Sequence, residues 1–298
     1  MSTTGTTPDG ARPDPEQGLL LRLTGPLQSW GLHSHFNERD TAAFPTRSGV
    51  IGLLAAALGR HRSEPIDDLA QLSLTVRTDR PGVPLRDLHT VGGGLTAKET
   101  VTTAEGKKRT GDTGTLLTHR TYLADGAFTV ALTAPGGHGD TDVLLARCAQ
   151  ALRHPRWPLY LGRRSCPPEG PLLLGESDDA LHHLIRLPVA AVAPPARNDR
   201  TGQARNSIDF LADRPLTCLP VSPDMVLPGN QDGTVPSSEL NDQPSGFHPR
   251  RRTYRARPLY RRTLSLPSSQ FAGLGAAQTT ALGTYLDNYF TAMEGSRQ

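Results

Sequence analysis

Basic side chains occur in four separate stretches of the chain, and three of these stretches also carry aromatic residues. The stretches are Arg39 and Arg47 near Trp30 and Phe36, the Lys107-Lys108-Arg109 cluster, Arg163-Arg164 after Tyr160, and residues 250–262 with Tyr254 and Tyr260. Arginine and backbone N–H groups bind phosphate, and aromatic rings stack on unpaired bases. A single charge run is usually a solvated face. Several such runs on loops, without any catalytic motif, indicate binding of single-stranded RNA.

The segment Pro45-Thr46-Arg47-Ser48 is predicted to open a helix, and it allows two interpretations. Thr46 or Ser48 is the cap, because either hydroxyl can accept from a free N–H group of the first turn. The free N–H groups, the helix dipole, the hydroxyls and Arg47 would together make an anion site. The alternative is an ordinary capped core helix. Capped core helices are commoner than anion sites, so the residues alone favour the capped core helix.

Familiar catalytic and metal-binding motifs are missing from the sequence. It has no P-loop, no GxGxxG after a strand, no HExxH and no GxSxG. The pairs His33/His35 and His182/His183 lack cysteine or carboxylate neighbours at metal-ligand spacing. We therefore expect no metal and no cofactor. His89 and His119 lie in predicted strands, where a histidine beside arginine or tyrosine could act in acid–base chemistry, although a structural histidine is commoner.

The size and composition are those of a globular protein. The chain has 298 residues, of which 36% are hydrophobic and 20% charged, with a net charge of +3. No apolar run is long enough to span a membrane, and residues 1–17 lack the apolar core of a secretory signal. These first residues are predicted to be a disordered tail. Cys148, Cys166 and Cys218 fit no zinc or disulfide spacing, which favours a reducing cytoplasm.

The first half of the chain predicts alternating strands and helices. Residues 19–23 predict a buried strand, and residues 49–58 an apolar helix that ends at Gly59. Residues 72–79 alternate like a half-buried strand, and residues 85–91 predict a second strand or a strand edge.

Residues 92–118 differ in character from what precedes them. They lack large apolar side chains in the middle and carry Lys98, Lys107, Lys108 and Arg109. Two interpretations stay open: a protruding hairpin or long loop with a use, or a disordered surface insertion.

Residues 117–123 and 128–132, joined through Asp125-Gly126, are predicted to pair as a hairpin. Residues 142–152 predict an amphipathic helix, and residues 171–175 a last strand. This order predicts an α+β fold of the ferredoxin-like, RRM-like type, βαββαβ.

The remainder is less regular. Residues 187–192 and 216–221 are predicted strands, residues 223–249 a loop, and residues 271–293 a C-terminal helix. We therefore divide the chain into a tail at 1–17, a domain at 18–175 with a thumb at 92–118, a small β-rich region at 176–266 and a helical extension at 267–298.

Five motifs resemble a known family. GPLQSWG at 25–31, FPTRSGVIGLLAAALG at 44–59, RDLHTV at 86–91, YLADGAFTVAL at 122–132 and YLGRRSCPP at 160–168 occur in this order. They closely resemble the family-five CRISPR-associated proteins of the type I-E Cascade complex, in the RAMP superfamily. The resemblance covers about residues 19–175 and is weak beyond them.

The resemblance implies a RAMP-type ferredoxin fold with a thumb hairpin at 92–118. It implies a non-catalytic subunit that holds the 5′ handle of the CRISPR RNA (crRNA). That subunit caps a filament of CasC backbone subunits beside the large subunit CasA, with target DNA nearby. Related members of another subtype cut RNA without metal. A metal-independent endoribonuclease that processes CRISPR repeat RNA, with His89 or His119 as general base beside Tyr122 and a lysine, therefore stays as the alternative.

The resemblance also assigns RNA-binding roles to residues inside the matched motifs. It implies that Arg47, Ser48 and Gly49 grip phosphate or handle bases, that His89 bonds RNA, and that Arg163 and Arg164 lie on the RNA face or contact a neighbouring subunit. Lys107, Lys108 and Arg109 are assigned by charge and position alone. For residues 250–262, contact with RNA, with CasA and with target DNA all stay open.

Overall fold

The leucine-rich segment near the start of the chain forms an interior strand, β1 (Gly18–Thr24), whose two faces are both buried. We describe it from a computed structural model, which describes residues 13–32, 34–35, 37–92, 99, 107, 115–136, 139–193, 206–248 and 252–295. Leu19, Leu21 and Leu23 pack into one core cluster, and Leu20 packs into another on the opposite face. A strand buried on both sides needs apolar residues without alternation, and this segment supplies them.

The other strands and helices follow in chain order. The strands are β2 (Leu27–Gln28), β3 (Ser34–His35), β4 (Glu38–Arg39), β5 (Ser73–Arg80), β6 (Val83–Val91), β7 (Leu116–Ala124), β8 (Ala127–Thr133), β9 (Leu173–Ser177), β10 (Ser207–Ala212), β11 (Ser238–Gly246) and β12 (Thr253–Ser265). The helices are α1 (Arg47–Ala57), α2 (Asp140–Arg153), α3 (Ala180–Arg186) and α4 (Gly275–Gly295). None of the helices formed by the described residues is long and apolar enough to cross a membrane.

Seven strands form one antiparallel sheet in the order β11-β12-β10-β5-β8-β1-β9. Helices α1 and α2 contribute to the core cluster on one face, and α3 with part of α4 contributes to the cluster on the other. The predicted α+β class is therefore confirmed. Strands β10, β12 and β11, which follow residue 176, continue the same sheet beyond β5.

The hairpin predicted for residues 117–132 is wrong in its pairing. Strand β7 pairs with β2, β4 and β6 in a second sheet, whereas β8 lies between β1 and β5 in the large sheet. Asp125 does make the tight turn, with φ of +59°. The chain changes sheets at this turn because every residue of β8 is buried, and such a strand belongs inside the large sheet.

Strand β7 instead forms an antiparallel pair with β6, with Val83 opposite Ala124 and Val91 opposite Leu116. This pair brackets the predicted thumb, residues 92–118, most of which lies outside the described residues. Of the predicted thumb, residues 116–118 belong to β7.

Two strands predicted in the C-terminal region are wrong. Val189 makes only an isolated bridge with Phe271, and Leu216–Cys218 is a 3-10 helix. Conversely, the predicted loop at 223–249 contains β11, and the basic run at 250–262 contains most of β12. Pro244 and Gly246, together with two irregularities in the β11–β12 register, hide the alternation expected of a strand. The short helix α3 was also missed; the Asp179 side chain caps it by accepting from His182 N–H at 3.1 Å.

Thr46 is the cap of α1, since its Oγ1 accepts from Gly49 N–H at 3.3 Å. We expect Thr46→Ala to lower the free energy of unfolding by about 1 kcal/mol. Ser48→Ala is the matched control, because among the described residues the Ser48 hydroxyl has a long contact of 3.4 Å with Thr46 Oγ1 and caps no N–H group. Urea denaturation of the two variants checks this expectation. Equal losses would show that Ser48 shares the cap.

The pKa of His183 on α3 leads us to expect that the protein is less stable in acid. Burial, with a smaller contribution from His182, lowers this pKa from 6.5 to about 4, and Asp179 opposes the shift. The His183 Nδ1 lies 2.9 Å from the Tyr285 hydroxyl on α4, within hydrogen-bond distance. The His183 imidazole binds a proton more readily in the unfolded chain than in the folded one. Its contribution to the free energy of unfolding is therefore fully present above about pH 6.5 and is lost as the pH falls towards 4.

We expect His183→Asn to flatten this part of the curve of unfolding free energy against pH. The check is denaturation at several pH values between 7 and 4, with wild type and variant compared at each. Parallel curves would mean that His183 does not carry the acid sensitivity.

Candidate nucleic-acid interface

An open cleft of about 1120 Å³ runs along α1. Its floor is the outward face of that helix, where Ser48, Gly49, Gly52 and Ala56 carry small side chains. At Gly49 a Cβ atom would lie 2.7 Å from the Trp30 ring, so the indole packs directly on the helix backbone. Trp30 is 1% exposed and donates its Nε1–H to Gln28 at 2.9 Å, which makes it a core residue.

The loop at 157–164 forms one wall of the cleft. Its backbone is held by Ser29 N–H donating to Leu161 O at 2.9 Å and by Leu161 N–H donating to Cys166 O at 2.7 Å. Gly162 has φ of +98°, and a Cβ atom there would lie 1.8 Å from Ser29 O. The position therefore requires glycine, because any side chain would push the loop away from the Ser29 backbone.

Arg163 ties this wall to the second sheet. Its guanidinium donates to the carbonyl oxygens of Thr121 at 2.6 Å, Arg39 at 3.0 Å and Asp40 at 3.0 Å, and lies 4.7 Å from the centre of the Tyr122 ring. These acceptors are neutral, so they satisfy its N–H groups and leave its positive charge in the cleft. Arg163 both builds the wall and contributes to its potential.

The opposite wall comes from the strands β11 and β12. Phe247 covers the middle of α1, where a Cβ atom on Gly52 would lie 3.8 Å from its ring. Asn241, Arg252 and Tyr254 complete this wall.

The described lining of the cleft is strongly cationic. Six arginines line it, against Asp40 as the one carboxylate: Arg39, Arg60, Arg62, Arg163, Arg164 and Arg252. Arg60 is neutralised by Asp68, and this ion pair raises the pKa of Arg60 and lowers that of Asp68. Arg39, Arg62, Arg164 and Arg252 are exposed and form no ion pair with any described carboxylate. An unneutralised concave surface of this kind attracts anions.

Arg47 does not reach the cleft. It is 5% exposed, pairs with Asp213, and donates to Ala70 O at 2.8 Å and Leu72 O at 2.6 Å. Burial lowers its pKa, and the charge of Asp213 opposes that shift. The predicted phosphate contact of Arg47 has no support from this geometry, because its donors face into the protein.

The anionic group bound at the start of α1 is a carboxylate of the protein itself. The carboxylate of Asp242 on β11 is 1% exposed and accepts from Arg47 N–H at 2.8 Å. Arg257 on β12 donates to the same carboxylate at 2.6 and 3.0 Å. Of the two interpretations of this helix start, the structure therefore supports the capped core helix, with an internal carboxylate at its dipole.

The remaining predicted residues lie away from the cleft or outside the described chain. His89 Nε2 is 2.6 Å from Asp87, and His119 Nδ1 is 3.1 Å from Glu38, both on the second sheet. Neither histidine is among the lining residues. Lys107 is exposed, and Lys108 and Arg109 fall outside the described residues. Ser48, Gly49, Arg163 and Arg164 are the predicted site residues that the cleft brings together.

The basic run at 250–262 is divided between structure and surface. Arg257 pairs with Asp242, Arg261 pairs with Asp209 at 2.5 Å, and Arg262 donates to Leu216 O at 3.2 Å. Arg252 and Tyr254 line the cleft.

Sequence reasoning did not single out Arg62 or Trp157. The local pattern that could have indicated Arg62 is His61-Arg62-Ser63, shortly after the predicted helix. The pattern for Trp157 is Arg156-Trp157-Pro158.

The described residues include no group of three or more histidine, cysteine, aspartate or glutamate side chains that could hold a metal ion.

Similarity to known proteins extends over most of the chain. Residues 18–260 match the family described as CRISPR-associated protein (Cas_Cas5). The CRISPR system Cascade subunit CasD of Escherichia coli (strain K12) is 38% identical over 174 residues, 53% of this chain and 70% of the relative. A solved CRISPR RNA-guided surveillance complex contains a chain with TM-score 0.69 and 37% identity, covering 91% of this chain and 99% of that one. A crystal structure of a Cas protein matches with TM-score 0.51 and 31% identity, over 87% and 98% of the two chains.

The protein combines a mixed α+β fold with a cleft lined by arginines. The family match covers most of its length, so the chain belongs to the CRISPR-associated protein (Cas_Cas5) family. The resemblance inferred from the five motifs is thereby confirmed.

Because Arg47 is buried and paired, we expect Arg47→Ala to lower the free energy of unfolding by about 3 kcal/mol. The exposed Arg164 provides the control, and Arg164→Ala should change stability by less than about 0.5 kcal/mol. Chemical denaturation measures both. A stable Arg47→Ala protein that no longer bound RNA would return Arg47 to the RNA-binding residues.

Proposed function

We propose that the protein is a non-catalytic, crRNA-binding subunit of a type I-E CRISPR Cascade surveillance complex, acting in the cytoplasm in antiviral defence. In this role it holds the 5′ handle of the crRNA and caps the backbone filament. The observation that carries the proposal is the cleft along α1, where exposed arginines without carboxylate partners line a concave surface on a chain of this family.

The cleft suits a polynucleotide backbone better than a small anion. Arg164 on one wall and Arg252 on the other supply charge at separate points along an elongated surface, as a chain of phosphates requires. Ser48 on the floor presents a hydroxyl, and Gly49, Gly52 and Ala56 add little side-chain bulk, so a strand can approach α1 closely. We assign Ser48, Gly49, Arg163 and Arg164 to RNA on this basis, and Arg47 to the support of the helix beneath them.

The order of elements supports a RAMP-type domain. The succession β1-α1-β5-β8-α2-β9, with strands in the spatial order β9-β1-β8-β5, is the arrangement expected of a ferredoxin-like split βαβ unit. We infer that this unit is the palm of the domain.

The β6–β7 pair is then the stem of the thumb. His89 lies on this stem, and Lys107, Lys108 and Arg109 belong to the segment that it carries, so we assign all four to contacts with RNA at the thumb. Leu88 and Leu117, 57% and 52% exposed on the same stem, suit contact with a neighbouring protein. We take that neighbour to be a CasC backbone subunit, with CasA and target DNA close by.

The relatives support a subunit that does not cut RNA. The curated relative is described as a subunit of Cascade, and one structural match as part of an RNA-guided surveillance complex. His89 and His119, the candidate general bases of the endoribonuclease alternative, pair with Asp87 and Glu38 outside the cleft.

The test is co-expression with the partner subunits and a CRISPR transcript, followed by measurement of the RNA retained. We expect a discrete small RNA with the wild-type chain, and clearly less with Arg164→Ala combined with Arg252→Ala, because two phosphate contacts are lost. Arg147→Ala is the control, since Arg147 is exposed on α2 away from the cleft.

Purified complex that carries no RNA, or equal retention by the double variant and wild type, would contradict the proposal. Incubation of the chain with repeat RNA in EDTA supplies a separate check. Specific cleavage that His89→Ala or His119→Ala abolishes would establish the endoribonuclease instead.

A further inference from the structure

The cleft holds two exposed aromatic rings that the proposed function does not yet use. We propose that Trp157 and Tyr254 each stack on an unpaired base of the bound RNA, while Arg62 and Arg252 hold the phosphates beside those bases. This inference rests on the proposed function, since it assigns how the same cleft holds its strand and which nucleic acid it accepts.

Trp157 is exposed yet held in a defined orientation. Its ring is 36% exposed and lines the cleft at the end of α1. The preceding residue anchors the loop, because Arg156 N–H donates to Ala57 O at 2.9 Å. Gly59 makes room for this contact, since a Cβ atom there would lie 2.4 Å from Arg156 Cγ.

The His61 ring meets the Trp157 indole edge-on, with 5.5 Å between ring centres and 73° between planes. An aromatic ring held in place in the free protein loses little conformational freedom on binding.

Tyr254 is presented from the opposite wall by the β11–β12 pairing. It lies opposite Pro244 in that ladder, and its ring is also 36% exposed. Arg252 directly precedes β12 and Tyr254 is the second residue of that strand, and both line the cleft. Each ring thus has an arginine near it in the cleft lining: Trp157 contacts His61, the sequence neighbour of Arg62, and Tyr254 is two residues from Arg252.

The surroundings of these rings point to unpaired bases. A single exposed aromatic residue is ordinary on a protein surface. Here both rings lie among arginines that no described carboxylate neutralises, so the occupant is an anionic chain with flat apolar groups. A polynucleotide has both properties, whereas an acidic peptide lacks the repeated flat groups. In a duplex the base faces are already stacked on each other, so only a single strand offers them to side chains.

Binding of a single-stranded oligoribonucleotide to the full chain tests the two rings. We expect Trp157→Ala and Tyr254→Ala each to weaken binding by about tenfold, the loss of one base–aromatic stack. Trp157→Phe and Tyr254→Phe should bind within about twofold of wild type, because phenylalanine keeps a stacking face. Thermal unfolding of every variant checks the fold.

Salt dependence separates stacking from charge. Stacking releases no counterions, so the slope of log affinity against log salt should be the same in Trp157→Ala and wild type. Arg252→Ala should instead flatten that slope by about 0.7, the value for one phosphate contact on a single strand.

Fluorescence gives a direct reading of Trp157, because the chain contains two tryptophans and Trp30 is buried. We expect the single strand to quench the emission of wild type, and the quenching to disappear in Trp157→Phe while binding persists. A duplex of the same sequence should bind more weakly and quench less.

Three results would overturn the inference and leave the proposed function standing: wild-type affinity in both alanine variants, quenching that persists in Trp157→Phe, or equal binding of duplex and single strand. Failure of the wild-type chain to bind RNA, or tighter binding of an acidic peptide such as polyglutamate, would remove the proposed function as well.

Discussion

The carboxylate of Asp242 and the ion pair between Arg47 and Asp213 are the interactions on which the cleft depends. A buried charge is costly unless it is paired and hydrogen-bonded. Asp242 meets this requirement by binding the first N–H group of α1 and the guanidinium of Arg257 together. Asp213 meets it by pairing with Arg47 and accepting from Ser73 at 2.7 Å and Leu74 N–H at 2.8 Å. These bonds orient α1 against strands from both ends of the chain.

The same pairing also positions the cleft wall. Asn241 and Asp242 are adjacent on β11, at the irregularity in its register with β12 between Leu240 and Gln243. Asp242 is turned to the helix start, and Asn241 lines the cleft. The floor and the β11–β12 wall are therefore set by one contact, and neither can move without leaving a charge unpaired.

Arginine serves two different purposes in this protein, and burial separates them. Arg77 is fully buried and donates to the carbonyl oxygens of Leu184 and Leu187 and to Asp79, which joins α3 to the sheet. Arg164 is exposed in the cleft. The planar guanidinium, with five donors, suits both roles. A count of basic residues therefore overstates the charge available to a ligand.

The sequence by itself determined the elements whose signals are local, and the family. The apolar runs of β1 and α1, the apolar periodicity of β5 and α2, and the long motifs between residues 25 and 168 sufficed for these. Only the tertiary structure decided that β7 and β8 lie in different sheets, that residues 238–246 form a strand, and that Arg47 is internal while Arg62 and Arg252 face the cleft. The physical reason is distance along the chain. Strand pairing and burial of charge join residues such as Arg47 and Asp213, 166 positions apart, and no local pattern records them.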